Sequence, residues 1–340
     1  MSEDAVLYKV QRLVREKIIR HVANSSFRTF RSPDIDRNRE RAGSSFYKFE
    51  RSRTTYRLDQ LLAKYYSIPV NNLLTFNSCS ASYDCVVKSL ATLFKKGTSH
   101  KLGLFVQYFE LPMETKYLSS SDLPYQQYGQ ISDLYADIDN LSIIVLESVS
   151  DIALQLINVD NLVDTVNSRK SNKPLFIIID STLNDKINYQ DLITRFSVPV
   201  SVIVINSGSK ILQLGFEFSN LGTLRFYTNL PKKFWHILKP KIQLSRDLTN
   251  SAVPDFDERL LLPILKHPQI LNQHIDCLYK NSVKLDHILE PNKGKFKTVF
   301  YSHGISPYVL FQLKTSKASD CVTFVHSLRD FIKLNNSYVS

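Results

Sequence analysis

Residues 175–210 read LFIIIDSTLNDKINYQDLITRFSVPVSVIVINSGSK. The stretch opens on an uninterrupted apolar run, Leu175 to Ile179, that ends in Asp180. It closes on a second run, Val200 to Ile205, apolar but for Ser201, followed by Ser207-Gly208-Ser209-Lys210. Between them, Tyr189 to Phe196 has the spacing of a short helix. Strands that are apolar at every position, rather than alternately, belong to a sheet covered on both faces. Strand, helix, strand in that order predicts a largely parallel sheet of the α/β class.

The same rhythm extends in both directions. Leu141 to Leu146 (LSIIVL) predicts another buried strand, and Asp160 to Ser168 a helix. Nearer the N-terminus, the pattern predicts a helix over Arg57–Tyr66, a strand over Asn72–Phe76, a helix over Ser82–Phe94 and a strand over Leu102–Val106. The second of these helices runs to Lys95-Lys96-Gly97, a basic last turn with a glycine stop. Residues 5–22 have helical periodicity, and 23–55 read as a polar, turn-rich arm. Phe234–Asp286 is expected to be mostly helical, interrupted near Pro254 and Pro263. Tyr308–Leu313 then reads as strand and Ser319–Leu334 as helix. The expected division is an N-terminal helix and arm (1–55), a large α/β domain (56–250), and interdomain helices with a small C-terminal domain (251–340).

Composition narrows the function classes. With 340 residues, 43% hydrophobic and 22% charged, the chain has ample core and is not disordered throughout. No apolar run reaches the roughly 20 residues needed to cross a bilayer, and the charged N-terminus lacks the apolar centre of a signal peptide. Four cysteines, Cys79, Cys85, Cys277 and Cys321, have neither disulfide-scaffold density nor zinc spacing, which points to a reducing, cytoplasmic compartment. The eight histidines show no metal spacing. The net charge of +11 is densest between Arg28 and Arg57, but acidic residues are interspersed there and no nucleic-acid motif accompanies it.

Chemistry is expected where strands end, because open α/β sheets bind ligands beyond the carboxyl ends of their strands. Three polar groups fall there: Asn77-Ser78-Cys79-Ser80 ahead of a helix, Asp180, and Ser207 to Lys210. The first can bind an anion at a helix N-terminus or simply cap the helix. A strand-end lysine and aspartate 30 residues apart suit pyridoxal phosphate, which needs an amine for its aldehyde and an anion for its ring nitrogen. The plainer readings are a solvated lysine and a turn-forming aspartate. Gly208, Gly215 and Gly222 cluster around that lysine.

The stretch YRLDQLLAKYYSIPVNNLLTFNSCSASYDCVVKSLATLFKKG (Tyr56–Gly97) resembles the tyrosine, helix, strand, phosphate-loop and helix segment of the fold-type I pyridoxal-phosphate enzymes. It is similar in layout to histidinol-phosphate aminotransferases. IIVLES (Ile143–Ser148), IIIDST (Ile177–Thr182) and INSGSK (Ile205–Lys210) are similar to the core of those enzymes and of the cystathionine-type lyases. The resemblance spans about residues 56–226, with a weaker echo at Ser302–Leu313.

It implies a three-layer α/β/α large domain built on a mixed seven-stranded sheet, a shortened α+β small domain, and a homodimer. It implies pyridoxal 5′-phosphate as cofactor, an amino acid as substrate, and transamination, with β- or γ-elimination as the alternative. Residue by residue, Lys210 is the lysine that bonds the cofactor and moves the substrate's α-proton, and Asp180 pairs with the ring nitrogen. Ser78 and Cys79 hold the phosphate, assisted by Ser207 and Ser209. Tyr108 stacks on the ring, and Tyr56 reaches the neighbouring subunit's phosphate.

The sequence also departs from the pattern. Ser150-Asp151-Ile152 stands where an Asn-Pro is usual, and the phosphate loop lacks its glycine. The nearest arginine after the lysine is the distant Arg225, and Arg329 lies in a helical context. A non-catalytic relative serving as a binding or scaffold protein is the reading these departures favour.

Overall fold

The computed structural model describes residues 56–94, 100–118, 123–150, 154–214 and 219–315, most of 317–327, and residues 13, 14, 16 and 17. The expectations for the arm at 23–55, for Asp151 and for Arg329 lie outside these residues, as does most of the 5–22 helix.

Seven strands form one sheet in the order β1-β7-β6-β5-β4-β2-β3 among the described residues. They are β1 (Leu73–Phe76), β2 (Leu102–Phe105), β3 (Tyr125–Gln127), β4 (Ile143–Glu147), β5 (Leu175–Asp180), β6 (Val200–Ser207) and β7 (Gly222–Thr228). β7 runs antiparallel to both of its neighbours, and the other pairings are parallel. The expected mixed seven-stranded α/β sheet is present.

The apolar runs are explained by what covers each face. Successive side chains of a strand point to opposite sides. Phe176, Ile178, Ile203 and Ile205 therefore join a core with α2 (Cys79–Leu93) and α7 (Lys232–Leu248), which contribute Val86, Leu90, Leu238 and Ile242. Ile177, Ile179, Val202 and Val204 face the other way. They pack with Leu134 of α4 (Ile131–Ala136), Leu162 and Val166 of α5 (Val159–Asn167), and Leu192 of α6 (Tyr189–Thr194). A third cluster joins α1 (Tyr56–Tyr65) through Leu58 and Leu62 to Leu261 and Leu265 of α8 (Asp255–Leu265) and Leu271 of α9 (Pro268–Leu289). A hairpin of β8 (Thr298–Phe300) and β9 (Leu310–Gln312) follows.

The structure corrects several boundaries. α2 begins at Cys79, not Ser82, because Ser78 caps it by accepting from the Ala81 amide at 3.0 Å. The serine-rich run is thus its first turn. Pro263 does not interrupt the helical segment. It sits inside α8, and the break comes at Lys266-His267, just before Pro268 opens α9. The alternating sequence of β7 and the short segments β3, α3 (Glu110–Leu118) and α4 carry too weak a periodic signal to be read beforehand.

One contact ties the sheet to the start of α2. Gly222 faces the Ser78 backbone so closely that a Cβ there would fall 2.0 Å from the Ser78 carbonyl oxygen. Neither side can yield by rotating a side chain. Replacing Gly222 with Ala is expected to cost about 1–3 kcal/mol or more of unfolding free energy. Urea denaturation of the two proteins checks this, and an unchanged midpoint would contradict the close approach.

Candidate active site

The carboxyl ends of β4, β5 and β6 open onto a cavity of ≈260 Å³. Ser78, Cys79, Tyr108, Asp180, Ser207, Ser209 and Lys210 all line it, although they come from segments far apart in sequence. The eighth expected residue, Tyr56, opens α1, but its side chain lies outside the described ones.

Each group is held by a local device. Asp180 ends β5 and accepts from the Thr182 amide at 2.9 Å, so the turn reading of this aspartate is realised while it still lines the cavity. The Thr182 hydroxyl accepts from the Ser207 amide at 3.0 Å, fastening the end of β6 to the turn after β5. The hydroxyls of Ser207 and Ser209 lie 3.0 Å apart. Gly208 donates its amide to the Leu221 carbonyl at 2.7 Å, holding the tight turn that leads to Lys210 against the entry of β7. The Lys210 ammonium is 5.2 Å from the centre of the Tyr108 ring, within range of a cation–π contact.

Glu147, overlooked in the sequence, explains the placement of Tyr108. It ends β4 opposite Asp180, and its carboxylate accepts from the amides of Gln107 at 3.0 Å and Tyr108 at 2.7 Å. The IIVLES motif contained this residue, but a strand-end glutamate has no distinctive spacing of its own. Thr182 was likewise visible only as part of IIIDST.

The phosphate-loop expectation meets a helix start. The first amides of a helix lack intrahelical partners, and the macrodipole there favours an anion. The Ser78 hydroxyl accepts from the Ala81 amide in the cap and keeps its own O–H as a donor beside the backbone amides of this turn. Burial, with the Asp180 charge adding to it, pushes the Cys79 thiol well above its usual range, so Cys79, the first residue of α2, carries a neutral thiol and not a thiolate. Arg225 does not reach this cavity. It lies on the opposite face of the sheet, paired with Asp185 at 2.5 Å. Glu110 also lines the cavity and accepts from the Ser80 hydroxyl at 3.3 Å. Among the described residues, no group of histidine, cysteine and carboxylate side chains is arranged to hold a metal ion, and no helix is long and apolar enough to cross a membrane.

Glu114 of α3 bears on the charge balance beside this turn. Burial raises its carboxyl to about 7, with Asp84 and Glu110 adding to the rise against a hydrogen bond from Ser80. A carboxyl raised on folding stabilises the protein fully below its unfolded value and loses that contribution as pH rises through the folded one. The melting temperature should therefore fall from pH 5 to pH 8 more steeply in the wild type than in Glu114→Gln, the variant being the more stable at pH 8. Parallel pH profiles would contradict the assignment.

No family model and no curated protein matches the sequence. Solved structures do match. The histidinol-phosphate aminotransferase from Clostridium acetobutylicum aligns at a TM-score of 0.56 and 14% identity, over 81% of this chain and 77% of that one. The L-threonine-O-3-phosphate decarboxylase from Porphyromonas gingivalis aligns at 0.56 and 17%, over 80% of each chain. A serine palmitoyltransferase from S. paucimobilis with a bound PLP–myriocin aldimine aligns at 0.54 and 15%, over 76% of this chain and 63% of that one. Topology, sheet order and these likenesses agree: the chain has the fold of the fold-type I pyridoxal-phosphate enzymes.

Proposed function

We propose that the chain is a pyridoxal-phosphate-dependent enzyme acting on an amino acid, with transamination as its reaction. The observation that carries this reading is the convergence of Lys210, Asp180 and the N-terminus of α2 on one cavity. The cofactor's three needs, an amine, a carboxylate and an anion cradle, are met there by residues from three separate strand ends.

The site fits the group at close range. Gly222 lets the backbone at Ser78 settle against β7, and this positions the first turn of α2 as the cradle. The hydroxyls of Ser207 and Ser209 supply further donors to a phosphate, and Tyr108 forms a wall for the ring. Glu110, Glu147 and Asp180 outnumber Lys210 among the lining charges, but two backbone amides already engage Glu147 and Ser80 engages Glu110. Bound pyridoxal phosphate supplies an aldehyde that captures amines and a protonated ring that withdraws electrons from the substrate's α-carbon.

The chain's own residues then divide the work. Asp180 would hold the group at its ring nitrogen, where its negative charge would keep a proton. Lys210 would hold it through its amine, and the same amine, when free, would take a proton from the substrate's α-carbon as general base and, as the ammonium, give that proton back to substrate carbon as general acid. Expulsion of a side-chain group, as in a lyase, would use the same proton removal. A homodimer in a reducing cytoplasm completes the proposal, and the four free cysteines accord with that compartment.

The test is the visible absorption spectrum of the purified protein with added pyridoxal phosphate. Wild type should retain the cofactor with a visible band, Lys210→Ala should lose the band, and Asp180→Asn should retain the cofactor at least about tenfold more weakly, as expected for removal of a charge-assisted contact. Absence of any band in wild type with excess cofactor would overturn the reading and leave a fold used for binding.

A further inference from the structure

The anion cradle at the start of α2 has carboxyl groups for neighbours. Ser80, in its first turn, lines the Lys210 cavity and donates its hydroxyl to Glu110 at 3.3 Å. Glu114 follows Glu110 one turn along α3, on the same face. The Ser80 hydroxyl bears on Glu114 as well, so two carboxyls compete for one donor. Asp84, one turn along α2 from Ser80, completes the cluster. The two helices are locked together beside it. The buried Tyr83 hydroxyl lies 2.6 Å from that of Thr115, which in turn donates to the Leu111 carbonyl at 2.7 Å.

Both charged groups that face Glu114 are acidic, Asp84 from α2 and Glu110 from its own helix. Cys79 and Tyr83 face it from α2 as acids that burial keeps neutral, and Asp180 at the end of β5 acts on the same Cys79 thiol. β3, which also packs on α3, brings Tyr125 and no charge. Lys88 is engaged with Asp84 at 2.9 Å. One Glu114 oxygen is buried without a hydrogen-bond partner, a costly position for an ionised carboxylate. Burial above all, with Asp84 and Glu110 adding to it, therefore raises this carboxyl to about 7.

A phosphate group on the first turn of α2 adds negative charge to this cluster. Repulsion raises the Glu114 carboxyl further, so the anion is held best when Glu114 carries a proton. A carboxyl raised on binding favours the complex fully below its free value and withdraws that contribution as pH rises through its bound value. We propose that the cradle is proton-gated: Glu114 takes up a proton when the cofactor's phosphate binds, and the cofactor is held less tightly as pH rises. This control of occupancy rests on the pyridoxal-phosphate reading of the Lys210 cavity.

The test is isothermal titration calorimetry of the cofactor-free full chain with pyridoxamine 5′-phosphate, a probe whose lack of an aldehyde removes the Lys210 bond from the measurement. Wild type and Glu114→Gln should bind equally at pH 6, and wild type about fivefold more weakly at pH 8. The probe's own titration is common to both proteins and cancels in that ratio. At pH 7.5, buffers of different ionisation enthalpy should show wild type taking up about half a proton more than the variant. Binding with an unchanged ratio at the two pH values, or with equal proton uptake, overturns the proton gate and leaves the cofactor reading standing. No binding by either protein at pH 6 overturns both.

Discussion

The approach of Gly222 to the Ser78 backbone is the constraint on which the geometry of the site rests. β7 runs against the direction of its neighbours, so its first residue arrives at the same end of the sheet as the last residues of β5 and β6. That end is where the first turn of α2 must sit if its amides are to face the cavity. A side chain at residue 222 would hold the turn away. Further interactions fix β1 behind it. Arg246 donates to the Thr75 carbonyl at 3.1 Å, Thr75 donates to Asp59 at 2.7 Å, and Trp235 reaches the Asn71 carbonyl at 2.9 Å. The strand that launches α2 is thus held from α1 and from α7 together.

The second organising feature is the pleat of β5 and β6. Burial on both faces requires apolar side chains along most of their length, so polar residues gather where the strands emerge. There the alternation sorts them. Asp180 and Ser207 turn towards Lys210, while Ser181 and Asn206 turn towards Arg225, with Asn206 donating to the Ser181 carbonyl at 3.1 Å. Two chemically different cavities, one rich in carboxylates and hydroxyls and one in tyrosines, therefore share a single sheet edge. The buried Arg225–Asp185 pair belongs to the second. Burial presses the Asp185 carboxyl upward against the pull of Arg225, while the charge of Asp185 keeps the guanidinium protonated despite its own burial.

The parts of the fold legible in the sequence were those with a strong local signal. LFIII and VSVIVI could be little other than doubly covered strands, and Asp180 and Lys210 were conspicuous because each follows such a run directly. β7 was obscure because GTLRFYT places Thr223, Arg225 and Tyr227 on a polar, tyrosine-rich face, so its burial depends on partners distant in sequence. The same dependence hid the second cavity, whose residues come from α1, the loop after β5, β7 and α9. Arg225 illustrates the limit well. Counting from Lys210 made it a distant candidate for a phosphate, yet only the alternation of a strand not recognised as one decides which face it occupies. Glu147 was missed for a related reason, since its partners are backbone amides that no sequence motif displays.

The central claim is that Lys210 is the amine presented to a pyridoxal cofactor. The most direct measurement is borohydride reduction of the protein mixed with pyridoxal phosphate, followed by peptide mass mapping. The account predicts one modified lysine, in the peptide containing Lys210. Modification spread over surface lysines, or concentrated on a different one, would contradict it.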